Sequence, residues 1–138
     1  MSGTLYGIGL GPGDPELMTL KAYRLISGAE VVAYPALEDG ESFARSIAAD
    51  VIPEDAAEIT IHIPMTVERD PAQAAYDQGA ADIAVHLDAG RDVVVLCEGD
   101  PFFYGSFMYL FARLSGKYET EVVPGVTSVT TCAAVSGR

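Results

Sequence analysis

Positive charge is scarce in this chain: eight Lys and Arg stand against twenty Asp and Glu, a formal net charge of -12. A field of that sign repels nucleic acid and anionic membrane at long range, so neither is an expected partner. The acids are spread out, with one denser stretch from Glu38 to Glu58 that holds seven of them against Arg45 alone. Cysteine is nearly absent. Cys97 and Cys132 are too few for a disulfide framework and lie outside any Cys-x-x-Cys spacing, which makes a reduced cytoplasm the expected compartment. No apolar run approaches the roughly 20 residues of a spanning helix, and the first residues lack the basic-then-apolar pattern of a secretion signal. His62 and His86 are isolated, with no third ligand at metal spacing, and no Ser–His–acid set is present. Neither a metal centre nor a covalent nucleophile is expected.

What is present suits one core. Of the 138 residues, 49% are hydrophobic and 20% charged, ordinary for a single domain. No Ser/Pro-rich linker or repeat divides the chain. Five apolar runs read as strands: Leu5 to Leu10, Glu30 to Tyr34, Glu58 to Ile63, Asp92 to Cys97 and Glu121 to Val123. The second and fourth are nearly continuous, as strands covered on both faces are, whereas the third alternates and belongs nearer an edge. Helical patterns follow each run. Met18, Ala22, Leu25 and Ile26 share a face that stops at Gly28, with Asp14 or Thr19 as the cap. A weaker helix spans Glu41 to Val51. In the longest, Asp70 caps and Tyr76, Ala80, Ile83 and Leu87 form one face up to Gly90. Ser106 to Leu114 is aromatic-rich, and Thr127 caps a last helix through Val135. Strand–helix alternation five times over specifies an α/β fold, a three-layer sandwich around a five-stranded parallel sheet, in one domain over residues 1–138.

Ligands of open parallel sheets bind beyond the carboxyl ends of the strands. Three of the five loops there are built from Gly, Pro and small polar residues: Gly9-Leu10-Gly11-Pro12-Gly13-Asp14-Pro15, Glu98-Gly99-Asp100-Pro101-Phe102-Phe103-Tyr104-Gly105-Ser106, and Pro124-Gly125-Val126-Thr127-Ser128. Glycine lets the backbone approach a ligand closely. A crevice between the first, fourth and fifth strands is therefore expected, while Tyr34-Pro35 and Pro64-Met65-Thr66 carry no such glycines. The first loop is not a dinucleotide fingerprint, because the second strand ends in Tyr34-Pro35 without a ribose-binding acid, and no Gly-Lys-Ser/Thr follows for a P-loop. The acids Glu98 and Asp100 beside a buried strand end face solvent, cap a helix or bind a ligand. With no base nearby, that ligand is hydroxyl-rich or cationic rather than a phosphate. Cys97 reads as a buried thiol and Cys132 as a helix-packing one.

The run from Gly9 to Leu17 with Thr19-Leu20-Lys21-Ala22 resembles the opening signature of the tetrapyrrole methylases. Glu98 to Gly105 and Val122 to Ser128 resemble that family's second and third signatures. Leu5-Tyr6-Gly7-Ile8-Gly9, Ile63-Pro64-Met65-Thr66 and Cys97 to Tyr109 are similar to the branch that methylates precorrin-2 at C-20. Pro35 stands where the sirohaem branch usually carries an Asp. The resemblance implies S-adenosyl-L-methionine as cofactor, S-adenosyl-L-homocysteine as its product, and a reduced tetrapyrrole as substrate. It implies that Pro12 lines the cleft, that Gly99, Asp100 and Phe103 contact the cofactor, and that Thr127 and Ser128 reach its methionine or adenosyl part. Family members have two α/β domains, so the chain is expected to be the N-terminal one, inactive alone and prone to self-association through the face its C-terminal partner covers. Cations that meet the substrate's carboxylates are expected from that other half, or from Arg45 and Arg69. The resemblance assigns no catalytic residue.

Overall fold

The structure, a computed structural model, describes residues 1–37, 40–64, 69–102 and 107–137. Phe103, Tyr104, Met65, Thr66 and Glu38 lie outside the described residues, as does the side chain of Arg69. The described chain alternates β1 (Leu5–Gly9), α1 (Leu20–Ser27), β2 (Val31–Ala36), α2 (Phe43–Ala48), β3 (Ala57–His62), α3 (Arg69–Asp88), β4 (Val93–Cys97), α4 (Phe107–Leu114), β5 (Thr120–Val123) and α5 (Ser128–Val135). The five strands form one parallel sheet in the order β3-β2-β4-β1-β5.

The two-residue period of a strand sorts its side chains between two cores. In β4, Val93, Val95 and Cys97 pack with Tyr76, Ile83 and Leu87 of α3 and with Phe107, Leu110 and Leu114 of α4. Val94 and Leu96 point the other way, onto Ala22 and Ile26 of α1 and Ala44 and Ile47 of α2. The sheet is thus the middle layer of three. β4 lies at its centre and all five of its residues are buried. β3 is an edge strand, as its alternating pattern requires, and presents Ile59 and Ile61 to the core. Gly7 in β1 leaves room for an aromatic: a Cβ there would stand 2.5 Å from the ring of Phe107.

Local capping explains most helix ends and corrects some expected ones. Both proposed caps near the first helix act, at different places. The Asp14 carboxylate accepts from Glu16 N–H and starts a 3-10 turn at Pro15–Leu17, while Thr19 accepts from Ala22 N–H and starts α1. The weaker helix is shorter than Glu41 to Val51, because Ser42 accepts from Arg45 N–H and so fixes the start of α2 at Phe43. Asp70 is not a cap. The helix already begins at Arg69, and the acid lies in its first turn, where it faces the positive end of the helix dipole. Cys132 does not pack. It is exposed on α5, a helix none of whose residues is buried.

Candidate functional site

β1 runs on into α1 on one face of the sheet, and its neighbour β4 runs on into α4 on the other. Their loops diverge at the carboxyl edge and open a crevice there, the switch point at which such sheets bind ligands. The crevice is narrow because the two loops pair with each other. Gly99 N–H donates to Gly11 C=O at 2.8 Å, and Gly11 N–H donates to Gly99 C=O at 3.2 Å. Gly11 and Gly99 both have positive φ, +84° and +63°, a region side-chain-bearing residues rarely adopt.

The β5 loop closes against this pair just as tightly. A Cβ on Gly125 would stand 2.1 Å from Gly99 C=O, and one on Gly9 would stand 2.6 Å from the same oxygen. Asp100 fastens the arrangement from the side. Its carboxylate accepts from Gly125 N–H at 2.9 Å through Oδ1 and from Phe102 N–H at 3.0 Å through Oδ2. Among the described residues this acid caps no helix. It clips the β4 loop to the β5 loop.

Pro12, Gly99, Asp100, Thr127 and Ser128, five of the six expected binding residues, line one cleft of about 400 Å³; the sixth, Phe103, lies outside the described residues. Thr127 is the cap of α5 and accepts from Thr130 N–H at 3.3 Å. Phe43, Glu98 and Val129 complete the lining. Phe43 was not among the expected residues. Its one sequence signal is a large apolar residue in the first turn of a helix whose inward face is Ala44, Ile47 and Ala48, and it is 56% exposed. Glu98 is reached by solvent, yet burial by the surrounding walls pushes its carboxyl above the ordinary range.

The expected crevice is not the largest opening. A cavity of about 640 Å³ lies beside it, walled by the ends of β2 and β3, the start of α2, and Glu98. The loops after β2 and β3 therefore do contribute, through side chains where the others use backbone. Arg45 is not available at either opening. Its guanidinium makes a two-pronged pair with Glu58, Nε to Oε1 at 2.6 Å and Nη2 to Oε2 at 3.2 Å. Tyr34 Oη donates to the same carboxylate at 2.9 Å. These bonds raise the pKa of Arg45 and lower that of Glu58. Cys97 is buried, and burial pushes its thiol far above the usual value, so it is inert. His62 is exposed and His86 accepts from Arg91 Nε at 3.0 Å. Among the described residues no group of three His, Cys, Asp or Glu could hold a metal, and no helix is long and apolar enough to cross a membrane.

The chain is similar to known proteins along nearly all of its length. The family model of the tetrapyrrole (corrin/porphyrin) methylases matches residues 4–138. A cobalamin biosynthesis protein, CobIJ of Mycobacterium bovis, is 46% identical over 96% of this chain and 28% of its own. The precorrin-2 C(20)-methyltransferase of a Sinorhizobium species is 40% identical over 98% of this chain and 58% of its own. The crystal structure of uroporphyrin-III C-methyltransferase from Thermus thermophilus, complexed with S-adenosyl homocysteine, superposes with a TM-score of 0.66. It is 31% identical, with 95% of this chain and 48% of that one covered. The chain thus spans less than two thirds of the length of each.

Proposed function

The chain belongs to the tetrapyrrole (corrin/porphyrin) methylase family, and from that premise we propose that it is the donor-binding N-terminal domain of an S-adenosyl-L-methionine-dependent methyltransferase acting on C-20 of precorrin-2. One observation carries the reading: Pro12, Gly99, Asp100, Thr127 and Ser128, drawn from three separate loops, line a single cleft at the switch point of the sheet. The choice of branch follows identity, which is 40% to the precorrin-2 enzyme and 46% to the cobalamin protein against 31% to the uroporphyrin enzyme.

The cleft suits an adenosyl sulfonium. Gly99 brings bare backbone to its wall, where a ligand can approach without side-chain obstruction, and the hydroxyls of Thr127 and Ser128 match a ribose or an amino-acid moiety. No Lys or Arg is among the described lining residues, and the acids Glu98 and Asp100 favour a cation over a phosphate. When bound, this donor supplies an electrophilic methyl group and leaves as S-adenosyl-L-homocysteine. The protein's share is then to hold two reactants in line and keep water out, for which the rigid bridge between Gly11 and Gly99 is suited. No covalent enzyme intermediate is required.

The exposed helix α5, with Val129 and Val135 uncovered, is read as the face for a second α/β domain of the same protein. With Arg45 taken up by Glu58, that domain or Arg69 of this chain supplies the cations for the substrate's carboxylates. Without it, self-association through this face and lack of methyl transfer are expected, with the whole enzyme working in the cytoplasm. Isothermal titration tests the reading. S-adenosyl-L-homocysteine is expected to bind, and NAD and ATP are not. Tight binding of NAD or ATP with no response to S-adenosyl-L-homocysteine would discard it.

A further inference from the structure

The donor cleft and the larger cavity share a wall of two side chains, Phe43 and Glu98. Glu98 is exposed, and water serves a carboxylate there. Water serves a phenyl ring poorly. Phe43 stands in the first turn of α2, whose buried face is Ala44, Ile47 and Ala48, so the helix gives it no cover and more than half of it is exposed.

The backbone under this ring is held firmly. Ser42 Oγ accepts from Arg45 N–H at 3.1 Å and donates to Pro35 C=O, at the end of β2, at 2.6 Å. Ala44, Ile47 and Ala48 pack α2 against the sheet. From that anchor the ring reaches over to the loop after β1, where a Cβ added at Gly13 would lie 3.2 Å from its tip. The side chain therefore spans from the start of α2 to the first loop, with an opening on either side. Methyl transfer requires the two reactants side by side, and the larger cavity adjoins the donor cleft across this ring. Its further lining of Ala36, Leu37, Ile63 and Tyr76, in about 640 Å³, suits the flat apolar body of the acceptor. A ligand in either opening covers part of Phe43 and takes apolar surface out of water. The first to arrive also fixes the rotamer of the ring. The second then meets a wall already ordered and is spared that cost.

We propose that Phe43 is the shared contact through which methyl donor and methyl acceptor bind cooperatively, each holding the ring in place as a wall for the other. The inference rests on the methyltransferase reading given above and adds to it a coupling between its two ligands. Its test is an anaerobic absorbance titration of precorrin-2 into the full-length protein, with and without saturating S-adenosyl-L-homocysteine. The second ligand is expected to raise precorrin-2 affinity about fivefold, the size of one immobilised side chain. Because coupling is reciprocal, calorimetry is expected to show saturating precorrin-2 raising S-adenosyl-L-homocysteine affinity by the same factor. Phe43→Ala is expected to bring the factor close to one, and Phe43→Leu, which keeps apolar bulk without the flat ring, to fall between. A ring that merely supports the fold would lower both affinities and leave their coupling intact. Unfolding midpoints near the parent's certify the variants as folded. Absent or negative coupling in the parent, coupling undiminished in both variants, or no binding of precorrin-2 while S-adenosyl-L-homocysteine still binds would overturn this inference alone. Failure of the parent to bind S-adenosyl-L-homocysteine removes the methyltransferase reading and this inference together.

Discussion

The two halves of the carboxyl rim are built from different materials. Around β4, β1 and β5 the loops meet through backbone: Gly9, Gly99 and Gly125 pack carbonyl against Cα, Gly11 and Gly99 pair by their N–H and C=O groups, and Asp100 accepts from two N–H groups. Around β2 and β3 the walls are side chains, with Phe43 and Tyr76 lining a wider space and the Tyr34–Glu58–Arg45 network beyond it. Backbone walls give a fixed shape that tolerates no added atom. Side-chain walls give a surface whose shape and polarity can be changed residue by residue without rebuilding the chain. Under the proposed function, the fixed first half is the one expected to hold the methyl donor, and the adaptable second half the acceptor.

The sharpest way to break this contrast is to change one residue in each half. Gly125→Ala places a Cβ against Gly99 C=O where 2.1 Å is available. It is expected to cost about 3 kcal/mol of stability, at the upper end of overpacking penalties, and to abolish S-adenosyl-L-homocysteine binding. Phe43→Ala, which deletes a half-exposed side chain, is expected to stay within about 0.5 kcal/mol of the parent. Urea unfolding of the two variants decides, and equal midpoints would end the distinction.

A smaller effect is expected where the backbone half relies on a side chain. Asp100→Ala strips two N–H groups of their acceptor, Gly125 in a partly buried setting and Phe102 in an exposed one. About 1–2 kcal/mol of stability is expected to be lost, with S-adenosyl-L-homocysteine affinity falling more than stability does, because the β4 and β5 loops are no longer clipped together. Calorimetric binding compared with unfolding separates the two losses. An unchanged affinity would mean that the loops hold their shape through the glycines alone.

The smallest effect belongs to the ion pair of the side-chain half. Arg45 and Glu58 are both partly exposed, so Glu58→Gln is expected to cost less than about 1 kcal/mol. Its pH signature is more telling than its size. The pKa of Glu58 is lowered in the folded state, first by the Arg45 hydrogen bond. The contribution is therefore present above the unfolded pKa and disappears as pH falls through the lower folded one. Unfolding midpoints measured from neutral pH down through the carboxylate range are expected to converge for parent and variant at the acid end. A gap that persists there would assign the effect to packing and not to charge.

Much of this architecture was legible residue by residue. The nearly continuous run Val93 to Cys97 announced a strand covered on both faces, and the alternation of Ile59 and Ile61 announced an edge. Glycine-rich loops after β1, β4 and β5 announced where backbone would approach a ligand. The role of Asp100 was not legible, because its partner Gly125 lies twenty-five positions away and many partners are available to a carboxylate in a loop. Phe43 and the larger cavity were missed for a related reason. Nothing in Ser42-Phe43-Ala44 says that this turn of helix will stand beside Glu98, and the loops after β2 and β3 lack the glycines that mark the other half.

Alternation of side chains, caps and glycine turns are short-range properties, set by sterics within a few residues, and the amino-acid order alone was enough to determine the five strand–helix units and the three loops that gather at one rim. The lateral order β3-β2-β4-β1-β5 is a long-range outcome of how two apolar faces are covered at once. Only that packing put β4 between β1 and β2, and so placed Glu98 on the wall between two cavities while drawing Arg45 away to Glu58.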